Sequence, residues 1–385
     1  ATESSNPALN ATPFDTSKRT LTERHYGQAA GFLLARASSG RRVSFRHNAT
    51  DTAKRRTEIQ MTNDTTIRWG IVGAGRIARR FAVGLAHVPG AALACVASRR
   101  IESAEALAAP FNARAVDFDS MLGEIDALYI ATHQDSHPDY ALRAFAAGKP
   151  VLCEKPAAVN ARCLQQMIDA ARAAKLLFME AMKPPFYPLY TQLRAHLSAD
   201  PIGEIGLVRA GCSIANVPST HPSFSKETGG GALLDIGIYE TFLAVDWLGE
   251  ALDVQTIGRI GASGVDTFAS LNVRHERGIA QLFCGLDLQG RGDALIAGTG
   301  GTVTIHENWW NPARATVTYL DGRKVELDAP FEGGGLNYET AHFCELLRSG
   351  AIESPLMPHA TSMRMIAITD AARRDLGLRF PFETD

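Results

Sequence analysis

The sequence predicts an α/β fold: an N-terminal doubly wound parallel sheet, followed by a C-terminal α+β domain with a large, mainly antiparallel sheet. Three observations carry this. A glycine turn, Gly73-Ala74-Gly75, stands between a short apolar run and a helical stretch. Apolar runs of strand length then alternate with helical stretches as far as residue 180. Beyond residue 186 the rhythm changes to strand-like runs separated by turn signals. The expected partition is an extension over 1–65, an N-terminal domain over 66–185 and a C-terminal domain over 186–385.

The extension differs in composition. It is rich in Arg, Ser, Thr, Asn and Ala, and basic through Arg36, Arg41, Arg42, Arg46, Arg55 and Arg56. Its weak apolar periodicity predicts disorder or a loosely docked arm. The apolar patch 29–35 is too short for a secretory signal. An organellar leader would suit the Arg and Ser content, but Glu3, Asp15, Glu23, Asp51 and Glu58 oppose it. Met61, just ahead of the first strand, would make a natural start for the folded part.

Residues 67–72 read as an apolar strand and 79–87 as a helix, with Gly73-Ala74-Gly75-Arg76-Ile77-Ala78 between them, a G-x-G-x-x-A pattern. Gly73 allows the tight turn, Gly75 lets backbone approach a pyrophosphate, and Ala78 keeps helix and strand close. The helix N-terminus offers free N–H groups to phosphates. Gly73, Gly75, Arg76 and Ile77 are therefore expected to bind a dinucleotide. The next strand, 92–97, ends in Ser98-Arg99-Arg100. An NAD site usually carries Asp or Glu there for the ribose 2′-hydroxyl. A hydroxyl and two guanidinium groups suit a 2′-phosphate instead, so NADP(H) is expected in preference to NAD(H). Strands at 127–131, 150–153 and 177–180 and helices at 138–147 and 161–175 complete a Rossmann sheet. Ligands bind at the carboxyl ends of such strands, which places Thr132, His133, His137, Glu154 and Lys155 near the nicotinamide end. His137 is expected to hydrogen-bond the nicotinamide ribose or the substrate.

With Cys153-Glu154-Lys155-Pro156 the chain resembles the Gfo/Idh/MocA oxidoreductases, from Ile67 to the C-terminus. The glycine loop, the 132–137 segment, Glu-Lys-Pro and Gly229-Gly230-Gly231-Ala232-Leu233-Leu234-Asp235-Ile236-Gly237-Ile238-Tyr239 recur in that order. Val151 to Pro156, Phe178-Met179-Glu180-Ala181 and the triple-glycine run look most like the branch of dimeric dihydrodiol and NADP-dependent D-xylose dehydrogenases. One run departs from that branch: Met182-Lys183-Pro184-Pro185-Phe186 has Pro185 where the branch has Arg. Lys183 would supply a cation from a different backbone point.

Hydride exchange with a nicotinamide leaves the protein one proton to handle. Lys155, Asp235 and Tyr239 are the expected catalytic group. In a helix, Asp235 and Tyr239 would share a face. Lys155 beside Tyr239 would lower the phenol pKa, making an acid/base pair in which either residue could move the proton. Lys183, His221 and Trp310 are expected to meet substrate, and Trp309 is a further candidate for the pocket wall. Nothing beside His133 and His137 completes a metal set, so no metal is expected.

In the second domain, helices are expected at 188–198, 232–247, 336–348 and 359–376. Strands are expected at 204–213, 253–259, 267–275, 278–286, 293–298 and 302–306. The resemblance implies that the open face of this sheet pairs subunits, hence a homodimer or homotetramer.

Composition bounds the rest. A net charge of −2 gives no electrostatic reason to expect nucleic acid or an anionic membrane. No apolar stretch approaches the roughly 18 residues that span a bilayer. Six cysteines without C-x-x-C spacing read as buried thiols of a reducing, cytoplasmic setting. The leading expectation is an NADP(H)-dependent oxidoreductase acting on a sugar, polyol or dihydrodiol. An NAD-dependent glycoside hydrolase of the same fold and a non-catalytic dinucleotide sensor are the competing readings.

Overall fold

The computed structural model describes residues 65–383, so the extension expected over 1–65 lies almost wholly outside the described residues. The first strands are β1 (Ile67–Val72), β2 (Ala91–Ala97), β3 (Arg114–Ala115), β4 (Ala127–Ile130), β5 (Val151–Glu154) and β6 (Phe178–Ala181). They form one sheet in the order β3-β2-β1-β4-β5-β6, parallel throughout. Strands β4, β5 and β6 are buried at every position, as expected where both faces are covered. The covering helices are α1 (Arg76–Leu85), α2 (Ile101–Ala108), α3 (Phe118–Leu122), α4 (His137–Ala146) and α5 (Ala161–Ala174). In α1, Ala78, Phe81, Ala82 and Leu85 are buried, an i, i+3, i+4, i+7 stripe. Strand order reverses direction between β1 and β4, which opens a crevice at their carboxyl ends.

After α6 (Pro188–Ala199) come β7 (Ile205–Ser213), α7 (Ile238–Leu248), β8 (Ala251–Ile260), β9 (Asp266–His275), β10 (Ile279–Gly285), β11 (Ala294–Gly298), β12 (Gly301–Ile305), β13 (Arg314–Tyr319) and β14 (Lys324–Asp328). The eight strands run in the order β14-β13-β12-β11-β7-β10-β9-β8. The β7–β10 pair is parallel and all others are antiparallel. On β9, Ala269, Leu271 and Val273 are buried while the residues between them are exposed, the alternation of a sheet covered on one face. The covering layer is α7 on β7 and β10, α9 (His359–Asp375) on β8 and beside α7, and α6 on β13 and β14.

Two features depart from the sequence expectation. Strands β13 and β14, on either side of the Asp321-Gly322 turn, are not among the strands expected from the sequence; they are short, with polar outward positions that dilute the apolar signal. The helix expected over 232–247 opens as a π-turn, Leu233–Gly237, before α7 begins. The chain also returns to the first domain: α8 (Leu336–Ser349) packs on α1, and Phe343 meets Trp69 at 5.2 Å between ring centroids.

Candidate active site

The carboxyl ends of β1, β2, β4, β5 and β6 face the start of α7 across a cleft of about 1210 Å³. Trp309 apart, every residue singled out from the sequence for cofactor, catalysis or substrate borders this cleft. That includes Gly73, Gly75, Arg76 and Ile77 at the glycine turn, and Ser98, Arg99 and Arg100 at the end of β2. Thr132, His133, His137, Glu154 and Lys155 lie past the switch point, and Lys183, His221, Asp235, Tyr239 and Trp310 close the far side.

The turn end fits a dinucleotide. Gly73 has φ +101°, and a Cβ there would lie 2.4 Å from the Ala131 carbonyl oxygen. Gly75 precedes α1, and its α-carbon faces open space. It supplies no side-chain cap, so the first N–H groups of α1 remain available to phosphate oxygens. Arg99 and Arg100 are exposed and form no ion pair among the described residues.

At the other end, the Lys155 ammonium donates to the Asp235 backbone carbonyl and lies 3.1 Å from Asp235 Oδ1. Its side chain is only 12 % exposed. Burial pushes the Asp235 carboxyl up. Lys155, the Ser223 hydroxyl and His221 outweigh it and hold the group below the usual carboxylate range. Asp235 is therefore a resting carboxylate.

Tyr239 differs from expectation. The Lys155 and Lys183 ammoniums lie 4.9 and 5.4 Å from its ring centroid, in cation–π contact with the ring. Burial, then the carboxylates of Glu154, Asp235 and Glu339, push the phenol well above its ordinary value. The expected lowering by Lys155 is thus reversed, because three acids and desolvation outweigh it. Tyr239 is a neutral hydroxyl.

Two further expectations are corrected. His137 is 1 % exposed. Its Nδ1 is 3.0 Å from the Pro156 carbonyl and its Nε2 3.2 Å from that of Thr132. Burial lowers its pKa to about 4. The neutral ring carries one N–H, which one of these two carbonyls accepts, and it sits as a brace between the loop after β4 and the loop after β5. Trp309 is fully buried in the core, whereas Trp310 borders the cleft. Glu154 reaches the cleft wall, but its carboxylate accepts from the Tyr129 hydroxyl and, at 3.2 Å, from the Lys155 N–H.

Sequence reasoning missed Arg80, Ser223, Asn311 and Glu339. Arg80 and Asn311 border the cleft. Asn311 accepts from the Tyr187 hydroxyl at 2.9 Å. Glu339 arrives on α8, fully buried, with neither carboxylate oxygen partnered among the described residues. Burial pushes it well above the usual range. Of the four, only Arg80 could have been found, one helical turn beyond Arg76 in the glycine-loop helix. Among the described residues, no three His, Cys, Asp or Glu side chains gather as a metal set, and no helix is long and apolar enough to cross a membrane.

Comparison with known proteins agrees with this architecture. Residues 67–182 match the oxidoreductase family with an NAD-binding Rossmann fold, and residues 190–304 match the GFO/IDH/MocA C-terminal domain. A trans-1,2-dihydrobenzene-1,2-diol dehydrogenase of Xenopus tropicalis is 33% identical over 334 residues, covering 82% of this chain and 99% of the relative. The scyllo-inositol 2-dehydrogenase (NADP(+)) of Bacillus subtilis is 31% identical over 329 residues, covering 82% and 98%. Among solved structures, a 3-ketoreductase from Actinomadura kijaniata in complex with NADP and TDP-benzene superposes with a TM-score of 0.71. It is 26% identical, with 81% of this chain and 98% of that one covered. With the glycine turn, the Lys155–Asp235 pair and Tyr239 gathered on one cleft, the chain belongs to the Gfo/Idh/MocA family and is an oxidoreductase with an NAD(P)-binding Rossmann domain.

Proposed function

We propose that the protein is an NADP(H)-dependent dehydrogenase or reductase acting on the CH–OH or C=O group of a sugar, polyol or dihydrodiol. The observation that carries this is the buried Lys155–Asp235 ion pair against Tyr239, facing the glycine turn across the cleft. Bound NADP(H) supplies the hydride chemistry. Arg99, Arg100 and Ser98 support the phosphorylated cofactor, because no carboxylate competes for the ribose at the end of β2.

This chain's residues hold the substrate oxygen and manage its proton. Lys155, oriented by Asp235, gives or takes the proton, and the neutral Tyr239 hydroxyl donates a hydrogen bond to the same oxygen. This divides the labour of the acid/base pair, because a phenol held well above its ordinary pKa is a poor proton carrier near neutral pH. Lys183 and Trp310, which border the cleft, meet the rest of the substrate. Pro185 is buried and outside the cleft lining, so the cation of this segment comes from Lys183. The compounds for which these relatives are named, a dihydrodiol and an inositol, support a vicinal diol.

The test is nicotinamide absorbance with NADPH or NADP⁺ and with the unphosphorylated pair, across sugars, inositols, dihydrodiols and their ketones. Turnover with NADP(H) at lower KM than NAD(H) is expected. Glycoside cleavage without net cofactor turnover would overturn the reading. We also infer a homodimer or homotetramer, since Ile257 and Leu252 on the edge strand β8 and Ile279 on β10 of the large sheet are 81, 52 and 50% exposed. Sedimentation at monomer mass would remove that part alone.

A further inference from the structure

A chain of hydrogen bonds leaves the catalytic pair and ends at the cleft mouth. Lys155 is bonded to Asp235 Oδ1 at 3.1 Å, and Asp235 Oδ2 accepts from the Ser223 hydroxyl. Ser223 Oγ lies 2.9 Å from His221 Nδ1. Ser223 is 5% exposed, while His221 is partly exposed on the loop bordering the cleft. Both tautomers of His221 find a partner. A protonated Nδ1 donates to Ser223 Oγ, and a bare Nδ1 accepts the Ser223 backbone N–H at 3.3 Å. A proton relay needs a terminal group accommodated in both states.

We propose that Ser223 and His221 conduct the reaction proton between Lys155–Asp235 and solvent. This rests on the oxidoreductase reading above. Cofactor and substrate filling the cleft would cover Lys155, so its proton needs another exit. In the reducing direction the carbonyl carbon takes a hydride, and its oxygen takes a proton that leaves Lys155 Nζ. A solvent proton bonds to His221 Nε2 as Nδ1 passes its own to Ser223 Oγ. Ser223 in turn passes its hydroxyl proton to Asp235 Oδ2. A half-turn of the carboxyl presents that proton to Lys155, which regains its third N–H. Oxidation runs the same steps backwards; after reduction Lys155, Asp235 and Ser223 end as they began, while His221 ends with its proton on Nε2 and recovers the Nδ1–H form by exchange with solvent. Asp235 is a resting carboxylate and holds the proton only in passing. Ser223 and His221 act through Lys155 and are positioning residues.

Two measurements on the full chain test the relay. The first needs no cofactor: ring ¹⁵N signals of His221 report its tautomer. The wild type is expected to protonate Nδ1. Asp235→Ala, which frees the Ser223 hydroxyl to turn to the imidazole, should move the proton to Nε2. The same change in a Ser223→Ala background should leave the tautomer unaltered. The second is turnover. His221→Phe should lower kcat at least tenfold with the cofactor KM unchanged, and added imidazole should restore part of it. Ser223→Ala should lose activity likewise without imidazole rescue, and Ser223→Thr should regain it. Thermal melting confirms folding of each variant. Tautomers indifferent to Asp235, or an active wild type whose His221 and Ser223 variants keep their kcat, would overturn the relay alone. A wild type inert with every carbonyl and alcohol would overturn the oxidoreductase reading and the relay together.

Discussion

Burial lowers the Lys183 ammonium to about 7, and Arg80 and Lys155 add like charge that Glu154 and Glu339 only partly offset. Its ordinary value is 10.5. Between these values the unfolded chain holds a proton that the native site does not, so stability rises with pH across that window. Lys183→Met is therefore expected to raise Tm by a few degrees near about pH 6, and by less near about pH 9. Melting curves at the two values check the sign. Tyr239→Phe tests the neighbouring group. Loss of its hydrogen bond to the developing charge should lower kcat by roughly 10²-fold, the size of an oriented donor's effect. The KM for NADPH should move less than about twofold, since uniform binding is untouched. Steady-state kinetics at saturating cofactor decide it, and an unchanged kcat would remove Tyr239 from the chemistry. Lys155, Asp235 and Tyr239 were legible in the sequence as a group. Their electrostatics were not, because Glu154 comes from β5 and Glu339 from α8, far apart along the chain.

At the scale of elements, the turn after β2 is a local device. It needs only a strand end beside the glycine turn and side chains of the right charge, so sequence was sufficient to locate it. Replacing Arg99 and Arg100 together by Ala should weaken NADPH binding by about tenfold to a hundredfold, as loss of charge-assisted hydrogen bonds implies. NADH binding should change little. Fluorescence titration with both cofactors compares the two losses, and equal weakening would assign the arginines a general role. The stretch after Gly231 shows the limit of local reasoning. Gly231 has φ +121°, and a Cβ there would meet Asp266 Oδ1 at 2.0 Å. Asp266 in turn accepts the Leu233 N–H at 2.7 Å. That anchor, supplied by a strand more than 30 residues downstream, accompanies the π-turn where sequence periodicity reads a plain helix.

Across the whole molecule, the C-terminal tail is tied to both domains. Glu383 accepts from Arg373 and, at 2.9 Å, from Asn160, which caps α5. Burial raises its pKa, but Arg373, Asn160 and the Phe380 N–H dominate and bring it down from 4.5 to about 2. A depressed carboxylate contributes stability that is full above its unfolded pKa and is lost as pH falls through the folded one. Glu383→Gln should therefore lower Tm by a few degrees near about pH 7, with the difference closing as pH approaches about 2. A constant difference would exclude the ion pair as its source. Arg373 is 4% exposed and donates also to Asp370 and the Val159 carbonyl. None of this network shows in the sequence, where its members are polar residues at unrelated spacings.

The sequence by itself determined the doubly wound sheet, the glycine turn and the basic end of β2. Each rests on local periodicity or on residue types at short spacing, which the chain encodes without reference to distant parts. Tertiary structure decided what those groups are. It made His137 a brace and Trp309 core, kept Tyr239 protonated, brought Glu339 within electrostatic reach of Lys183, and linked Lys155 through Asp235 and Ser223 to His221. Burial and the field of neighbouring charges set protonation and hydrogen-bond direction, and both arise only when segments far apart in sequence are packed together.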